Sequence, residues 1–306
     1  MRPFGLLAAL GLARPALRDT LRERFRQRLA AGRGGFDDGI GADNGAVLTL
    51  PPGATLDADI PYGDDPAQRL DVYRPGSATG APVIVFVHGG GWRRGDKAML
   101  QMVGNKVPHW LGRGHVVIST NYRMLPAADP VQQAEDVARA LAFVQRDAAH
   151  WGGDAARVVL VGHSAGAHLV SLLAADAGLA AGQGAQPWLA TVAMDSAALD
   201  IEAVMSRRHY RFYDPVFGTD PAFWRAASPM HRLQAAPASP LLLVCSSQRD
   251  DSIEAAHAFA SKAERFGGRV EVLPIDLTHM ELNDRLGTRS AYTDAVDAFL
   301  RSVGIG

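Results

Sequence analysis

The sequence predicts an α/β domain built on a mostly parallel, doubly wound sheet with helices on both faces. Three observations carry this expectation: apolar runs of strand length recur from Ile60 onward, segments of helix length separate them, and no repeat or low-complexity tract breaks the alternation. The first element, Arg69-Leu70-Asp71-Val72-Tyr73, alternates polar and apolar residues as a half-buried edge strand does. Continuous apolar runs follow at residues 83–87, 116–119, 158–161, 190–194, 241–244 and 270–274, the pattern of parallel strands covered on both faces. Apolar residues at three-to-four spacing predict helices over residues 131–149, 169–177, 252–266 and 290–303. One interval departs from this order. Residues 201–240 carry Tyr210, Phe212, Tyr213, Phe217, Phe223 and Trp224 in a turn-rich stretch between two strands. A connection of that length in a compact domain is usually functional. It is expected to form a lid-like insertion or pocket wall, the alternative being a surface insertion that packs only on itself.

A chain of 306 residues with 47% hydrophobic content is long enough to bury a sizeable core. Lys plus Arg number 31 against 32 Asp plus Glu, so the formal charge of -1 gives no electrostatic case for nucleic acid, and the expected partner is a small molecule. The single cysteine, Cys245, excludes an internal disulfide and is compatible with the reducing cytoplasm, the expected compartment. Residues 1–45 differ from the domain expected over residues 46–306. An apolar run at residues 4–13 is too short to cross a bilayer, which takes about 20 residues, and Arg14, Arg18, Arg22, Arg24, Arg26 and Arg28 follow it. Leu17, Leu21, Phe25 and Leu29 recur on one helical stripe. The expected reading is a basic amphipathic helix docked on the domain, followed by a linker rich in Gly and Asp. A membrane-surface helix and a degenerate export signal compete with it.

The run Val161-Gly162-His163-Ser164-Ala165-Gly166 carries the chemistry. It follows a strand-like run and opens a helix-like one, the setting of a G-x-S-x-G elbow that presents a serine on a sharp strand-to-helix turn. Gly162 and Gly166 remove side chains that would collide with such a turn. Directly after residues 83–87 stands His88-Gly89-Gly90-Gly91-Trp92, where bare backbone can bring N–H groups close to a developing oxyanion. Gly90, Gly91 and Ala165 are the expected donors. No metal or cofactor is expected: His163 and His168 are not the i, i+4 pair of H-E-x-x-H, and neither a dinucleotide fingerprint nor a Walker A run is present.

Further pieces are Tyr62-Gly63, Leu70-Asp71-Val72-Tyr73-Arg74-Pro75, Asn121-Tyr122-Arg123, Gly152-Gly153-Asp154 and Ala165-Gly166-Ala167-His168-Leu169. With these motifs the chain resembles, over residues 60–303, the α/β-hydrolase superfamily. The narrower likeness is to esterases bearing an HGGG or HGG-x-W oxyanion motif, including hormone-sensitive-lipase-like carboxylesterases and arylformamidases. The resemblance implies an α/β-hydrolase fold and a catalytic triad in the chain order serine, acid, histidine. The acid is then expected after the run 241–244, where Asp250 and Asp251 stand side by side. Asp250 is preferred, because Asp250-x-x-Ile253 matches an acid followed by an apolar residue opening the next helix, and Asp251 reads as that helix's cap. One departure bears on this choice: a glycine usually precedes the acid in such families, and this chain has Cys245-Ser246-Ser247. His279, in the loop after the last strand, is the expected base, taking the Ser164 proton while Asp250 orients it. His257 lies inside a helix pattern and reads as structural.

His88 and His163 are expected to be neutral histidines that brace the motifs, Tyr122 and Arg123 to anchor a turn, and Cys245 to be inert. Trp92, Tyr210, Phe212 and Phe217 are the candidate pocket residues. The expected activity is serine carboxylic-ester hydrolysis on small to medium acyl esters through an acyl-enzyme. An arylformamidase-type amide hydrolase is the rival, and a ligand-binding protein that has lost its base is a third reading, against which His279 argues.

Overall fold

The computed structural model describes residues 48–306, so the predicted N-terminal helix and linker lie outside the described residues. Eight strands form one sheet in the order β1-β2-β4-β3-β5-β6-β7-β8. They are β1 (Thr55–Pro61), β2 (Arg69–Arg74), β3 (Ala81–Val87), β4 (Val116–Thr120), β5 (Gly153–His163), β6 (Ala190–Met194), β7 (Leu241–Ser246) and β8 (Val270–Ile275). β1 and β4 pair antiparallel with β2, and every other neighbour is parallel. All residues of β3, β4, β6 and β7 are buried, so both faces of the central sheet are covered, as continuous apolar runs require.

Twelve α-helices, besides two short 3-10 turns, accompany the strands among the described residues. α1 (Leu100–Val103) and α2 (Lys106–Leu111) lie between β3 and β4, and α3 (Pro130–Asp147) precedes β5. α4 (Ala165–Ala175) and α5 (Ala177–Gly182) follow β5. The interval between β6 and β7 folds into four short helices: α6 (Ile201–Met205), α7 (Asp214–Phe217), α8 (Pro221–Ala226) and α9 (Pro229–Arg232). α10 (Asp250–Arg265) joins β7 to β8, and α11 (His279–Arg285) and α12 (Ala291–Ser302) close the chain. The start of α3 shows how local chemistry sets a boundary. Asp129 caps the Val131 and Gln132 amides, Gln132 returns a hydrogen bond to the Asp129 amide, and Pro130 occupies the first turn, where its missing N–H is not needed.

Two expectations change. β2 is not an edge strand: it lies between β1 and β4, and its four central residues are buried. The polar residue that suggested a wet face, Asp71, is 2% exposed and pairs with Lys97 Nζ at 2.7 Å. The edge is β1, which is largely exposed and whose pairing with β2 is interrupted between Asp57 and Ile60. The helix predicted to begin near residue 169 begins instead at Ala165, directly on the serine.

Candidate active site

The end of β5 delivers Ser164 at φ 56°, ψ -118°, a left-handed backbone that a non-glycine residue adopts only under constraint. The constraint is visible on both sides. A Cβ on Gly162 would lie 2.3 Å from the Gly166 carbonyl oxygen, and one on Gly166 would lie 2.2 Å from that of Val87. Only glycine lets β5, α4 and the end of β3 approach this closely. The Ser164 amide donates to the Met194 carbonyl at 2.9 Å, tying the elbow to β6. Its side chain makes no cap bond to α4, which leaves Oγ available to another element.

That element is α11. Thr278 caps it, accepting from the Glu281 amide while the Glu281 carboxylate accepts from the Thr278 amide. His279 is therefore the first helical residue rather than a loop residue, and the cap fixes the backbone from which its ring projects. Ser164 Oγ lies 3.0 Å from His279 Nε2, in position to donate its proton there. On the far side of the ring, Nδ1 lies 2.6 Å from Oδ2 of Asp195.

Asp195, not Asp250, is the carboxylate at the histidine. It directly follows β6, the strand beside β5, and its own φ is 57°. Its side chain is fully buried. Oδ1 accepts from the Ser246 amide at 2.9 Å and from Ser252 Oγ at 2.5 Å, and Oδ2 accepts from Arg249 Nη1 at 2.7 Å as well as from the histidine. Burial alone would push this carboxyl up, but the hydrogen bond from His279, the Arg249 charge and the Ser246 amide together hold it well below the usual carboxylate range. Asp250 is carried past the sheet end onto the exposed first turn of α10. The residue reaching back toward the histidine from this turn is Arg249, and Asp251 pairs with that arginine at 3.3 Å. Sequence reasoning missed Asp195. The available signal was an aspartate immediately after the apolar run 190–194, a position that on sequence grounds reads as an ordinary turn residue.

The loop after β3 lies against the elbow. A Cβ on Gly89 would come within 2.9 Å of both the His163 carbonyl oxygen and Ser164 Cβ. Gly90 and Gly91 have φ of 118° and 59°, and Trp92 follows at 60°. Among the described residues the Gly90 and Gly91 amides find no acceptor, and the Ala165 amide, first in α4, has no intrahelical one. His88 is the brace: Tyr122 Oη donates to its carbonyl at 2.8 Å, its ring stacks on Tyr122 at 4.5 Å, and its Nδ1 bonds the Gly89 carbonyl at 2.7 Å. His163 donates from Nε2 to the His279 carbonyl at 2.9 Å, and burial, with His279 beside it, holds it neutral.

The candidate pocket residues separate. Trp92 and Phe217 are buried and pack together with ring centroids 5.1 Å apart, so they bind the insertion to the loop after β3. Phe212 is partly buried and lies on Tyr213, 4.1 Å between ring centroids. Tyr210 is 59% exposed and lines a cavity of about 770 Å³. Tyr213 and Arg249 line the same cavity, together with Arg207, Arg208 and Arg211 on the insertion and Asp250, Asp251 and Glu254 on α10. Among the described residues no cluster of three or more His, Cys, Asp or Glu is arranged to hold a metal, and no helix is long and apolar enough to cross a membrane.

Comparison with known proteins places the chain in a family. A probable isoprenylcysteine alpha-carbonyl methylesterase (ICMEL1) of Oryza sativa is 39% identical over 113 residues, 37% of this chain and 26% of that protein. Esterase LipQ of Mycobacterium tuberculosis is 29% identical over 245 residues, covering 72% of this chain and 57% of that protein. The chain thus spans about a quarter of the length of the first of these relatives. Among solved structures, a phosphonate-inhibited esterase B from Lactobacillus rhamnosis superposes with a TM-score of 0.70 at 20% identity over 95% of both chains, which establishes the α/β-hydrolase fold. The BD-FAE family model matches residues 70–260, well over half of the sequence, and the chain belongs to that family.

Proposed function

We propose that this protein is a serine carboxylic-ester hydrolase that works through an acyl-enzyme. The observation that carries the reading is the continuous chain from Ser164 Oγ to His279 Nε2 at 3.0 Å and from His279 Nδ1 to buried Asp195 at 2.6 Å. The names of the rice and mycobacterial relatives, both esterases, point the same way. In the first half-reaction Oγ attacks the ester carbonyl carbon while its proton passes to Nε2. Asp195 holds the Nδ1 proton and stabilises the imidazolium. The carbonyl oxygen, now an anion, takes hydrogen bonds from the Gly90, Gly91 and Ala165 amides. Collapse expels the alcohol, which leaves with the Nε2 proton, and a water repeats the sequence to release the acid and free serine.

Arg249, which bonds the Asp195 that holds His279, also lines the cavity of about 770 Å³, room beside the histidine for a small to medium acyl ester. The test is covalent. A fluorophosphonate should add once to the intact protein, at Ser164, and not at all to Ser164→Ala; an unlabelled wild type would replace the enzyme with a ligand-binding protein on the same fold. Hydrolysis of p-nitrophenyl butyrate should exceed deformylation of N-formylkynurenine, and the reverse order would make the protein an amidase.

A further inference from the structure

We propose that the cavity beside His279 selects esters that carry a carboxylate, which Arg207, Arg208 and Arg211 bind as specificity-determining residues. The inference deepens the hydrolase reading above and rests on it. The cavity holds about 770 Å³, and small-molecule sites run from about 300 to 1,000 Å³. Two of its lining residues reach the surroundings of the serine. Arg249 lies 2.7 Å from Asp195 Oδ2 and 3.0 Å from His279 Nδ1. Tyr213 has its ring centroid 6.0 Å from that of Trp92, the residue after the glycine run that follows β3. The space therefore lies beside the reacting centre, where a group carried by the ester has room.

Arg207, Arg208 and Arg211 line the cavity from the stretch between α6 and α7. All three are exposed, and none has an ion-pair partner among the described residues. Carboxylates of the same insertion are engaged elsewhere: Asp214 with His209 at 2.9 Å and Glu202 with Arg225 at 2.7 Å. Like charges gathered around one cavity repel, and a bound anion relieves that repulsion. Each guanidinium also presents a planar fork of donors that matches the two oxygens of a carboxylate.

The same cavity is lined by Asp250, Asp251 and Glu254 of α10. Asp250 and Asp251 stand in the first turn of this 16-residue helix, where negative charge meets the unpaired amides. Asp251 also pairs with Arg249 at 3.3 Å. The helix thus gives its acids a role, whereas no bond among the described residues gives one to the three arginines. With Arg249 set against Asp251, the insertion's three cations face Asp250 and Glu254, and the excess is positive.

The experiment compares kcat/KM at pH 8 for three esters of one acyl length: mono-p-nitrophenyl adipate, which ends in a carboxylate, p-nitrophenyl hexanoate, which is neutral, and p-nitrophenyl 6-aminohexanoate, which ends in an ammonium. A second pair, 4-acetoxybenzoate and neutral 4-acetoxybenzamide, puts the charge on the alcohol side instead. In wild type the anionic member of at least one set should exceed its neutral counterpart by about tenfold, and the set that shows this tells which side of the ester enters the cavity. Arg207→Gln, Arg208→Gln and Arg211→Gln introduced together should bring that ratio to about one. Raising NaCl from about 20 to about 500 mM should reduce the wild-type ratio severalfold, because exposed charges are screened, and this carries the test alone if the triple variant does not fold. Equal rates on anionic and neutral esters, a ratio that neither salt nor the triple substitution changes, or a preference for the ammonium ester overturn the proposal, and hydrolysis of the hexanoate then leaves the hydrolase reading in place. Hydrolysis of none of the esters, with no fluorophosphonate labelling of wild type, would instead sink that reading.

Discussion

At the scale of single residues, two aspartates separated by 55 positions compete for one role, and their surroundings decide between them. Asp195 is fully buried, accepts four hydrogen bonds and touches His279, whereas Asp250 is exposed on the first turn of α10 with no bonded partner among the described residues. Asn at 195 keeps the shape but loses the charge that stabilises the imidazolium, and its amide can turn the ring to the tautomer that cannot accept from serine. Asp195→Asn should therefore lower kcat/KM for p-nitrophenyl butyrate at pH 8 by about 10³–10⁴-fold. Asp250→Asn should leave it within about threefold, since exposed substitutions away from bonded groups change energies by only about 0.5 kcal/mol. Equal losses in the two variants would remove Asp195 from the triad. Cys245, buried in β7, has its thiol pushed up to about 11 by burial and the nearby Asp195, and agrees with the expectation of an inert cysteine.

At the scale of elements, the elbow exists because three backbones meet where side chains would not fit. Gly166→Ala would drive a methyl group into the Val87 and His88 carbonyls, at 2.2 and 2.6 Å, both rigid backbone atoms at the root of the glycine loop after β3. Urea denaturation should show a loss of about 1–3 kcal/mol, with esterase activity falling alongside. Gly182→Ala, at the end of α5 with nothing within 4 Å of the new Cβ, should gain about 0.5 kcal/mol or stay neutral; equal losses at the two positions would mean that close approach is not the reason for Gly166. The same elements show what the sequence made legible. The parallel strands were visible because burial on both faces demands continuous apolar runs, Ser164 because its G-x-S-x-G run follows a strand, and His279 because the resemblance sets the base after the last strand. β1 was hidden because Thr55–Pro61 is mostly exposed and carries no apolar alternation. β2 looked wet because the ion pair that lets Asp71 be buried comes from Lys97, 26 residues away. Asp195 was hidden because an aspartate after a strand resembles a turn, and only the β5–β6 pairing, which puts His163 beside Met194, places it level with the elbow.

At the scale of the whole molecule, the acid limit of stability follows from histidines buried without charge. His168 joins the loop after β3 to the insertion: Trp92 Nε1 donates to its Nδ1 at 3.1 Å, and its Nε2 donates to the Ala227 carbonyl at 2.7 Å. A second ring proton would face the indole N–H, and burial has already pushed the group down from 6.5 to about 4. With a folded value below the unfolded one, its contribution is complete above pH 6.5 and is lost as pH falls toward 4, amounting to about 3 kcal/mol. His163 and His88 are depressed by burial in the same direction. Tyr62, Tyr73, Tyr122 and Tyr292 set the other limit: burial raises each phenol, so their contribution is complete below their ordinary value of 10 and is lost as pH rises past it. Stability should therefore be greatest between about pH 7 and 9. His168→Gln can keep both hydrogen bonds, the amide oxygen accepting from Trp92 and the amide nitrogen donating to Ala227, but it has nothing to titrate. Between pH 6.5 and 4.5 the unfolding free energy of wild type should fall more steeply than that of His168→Gln, by up to about 1.4 kcal/mol per pH unit, the slope of one proton taken up on unfolding. Parallel slopes would show that the ring between loop and insertion is already protonated in the folded protein.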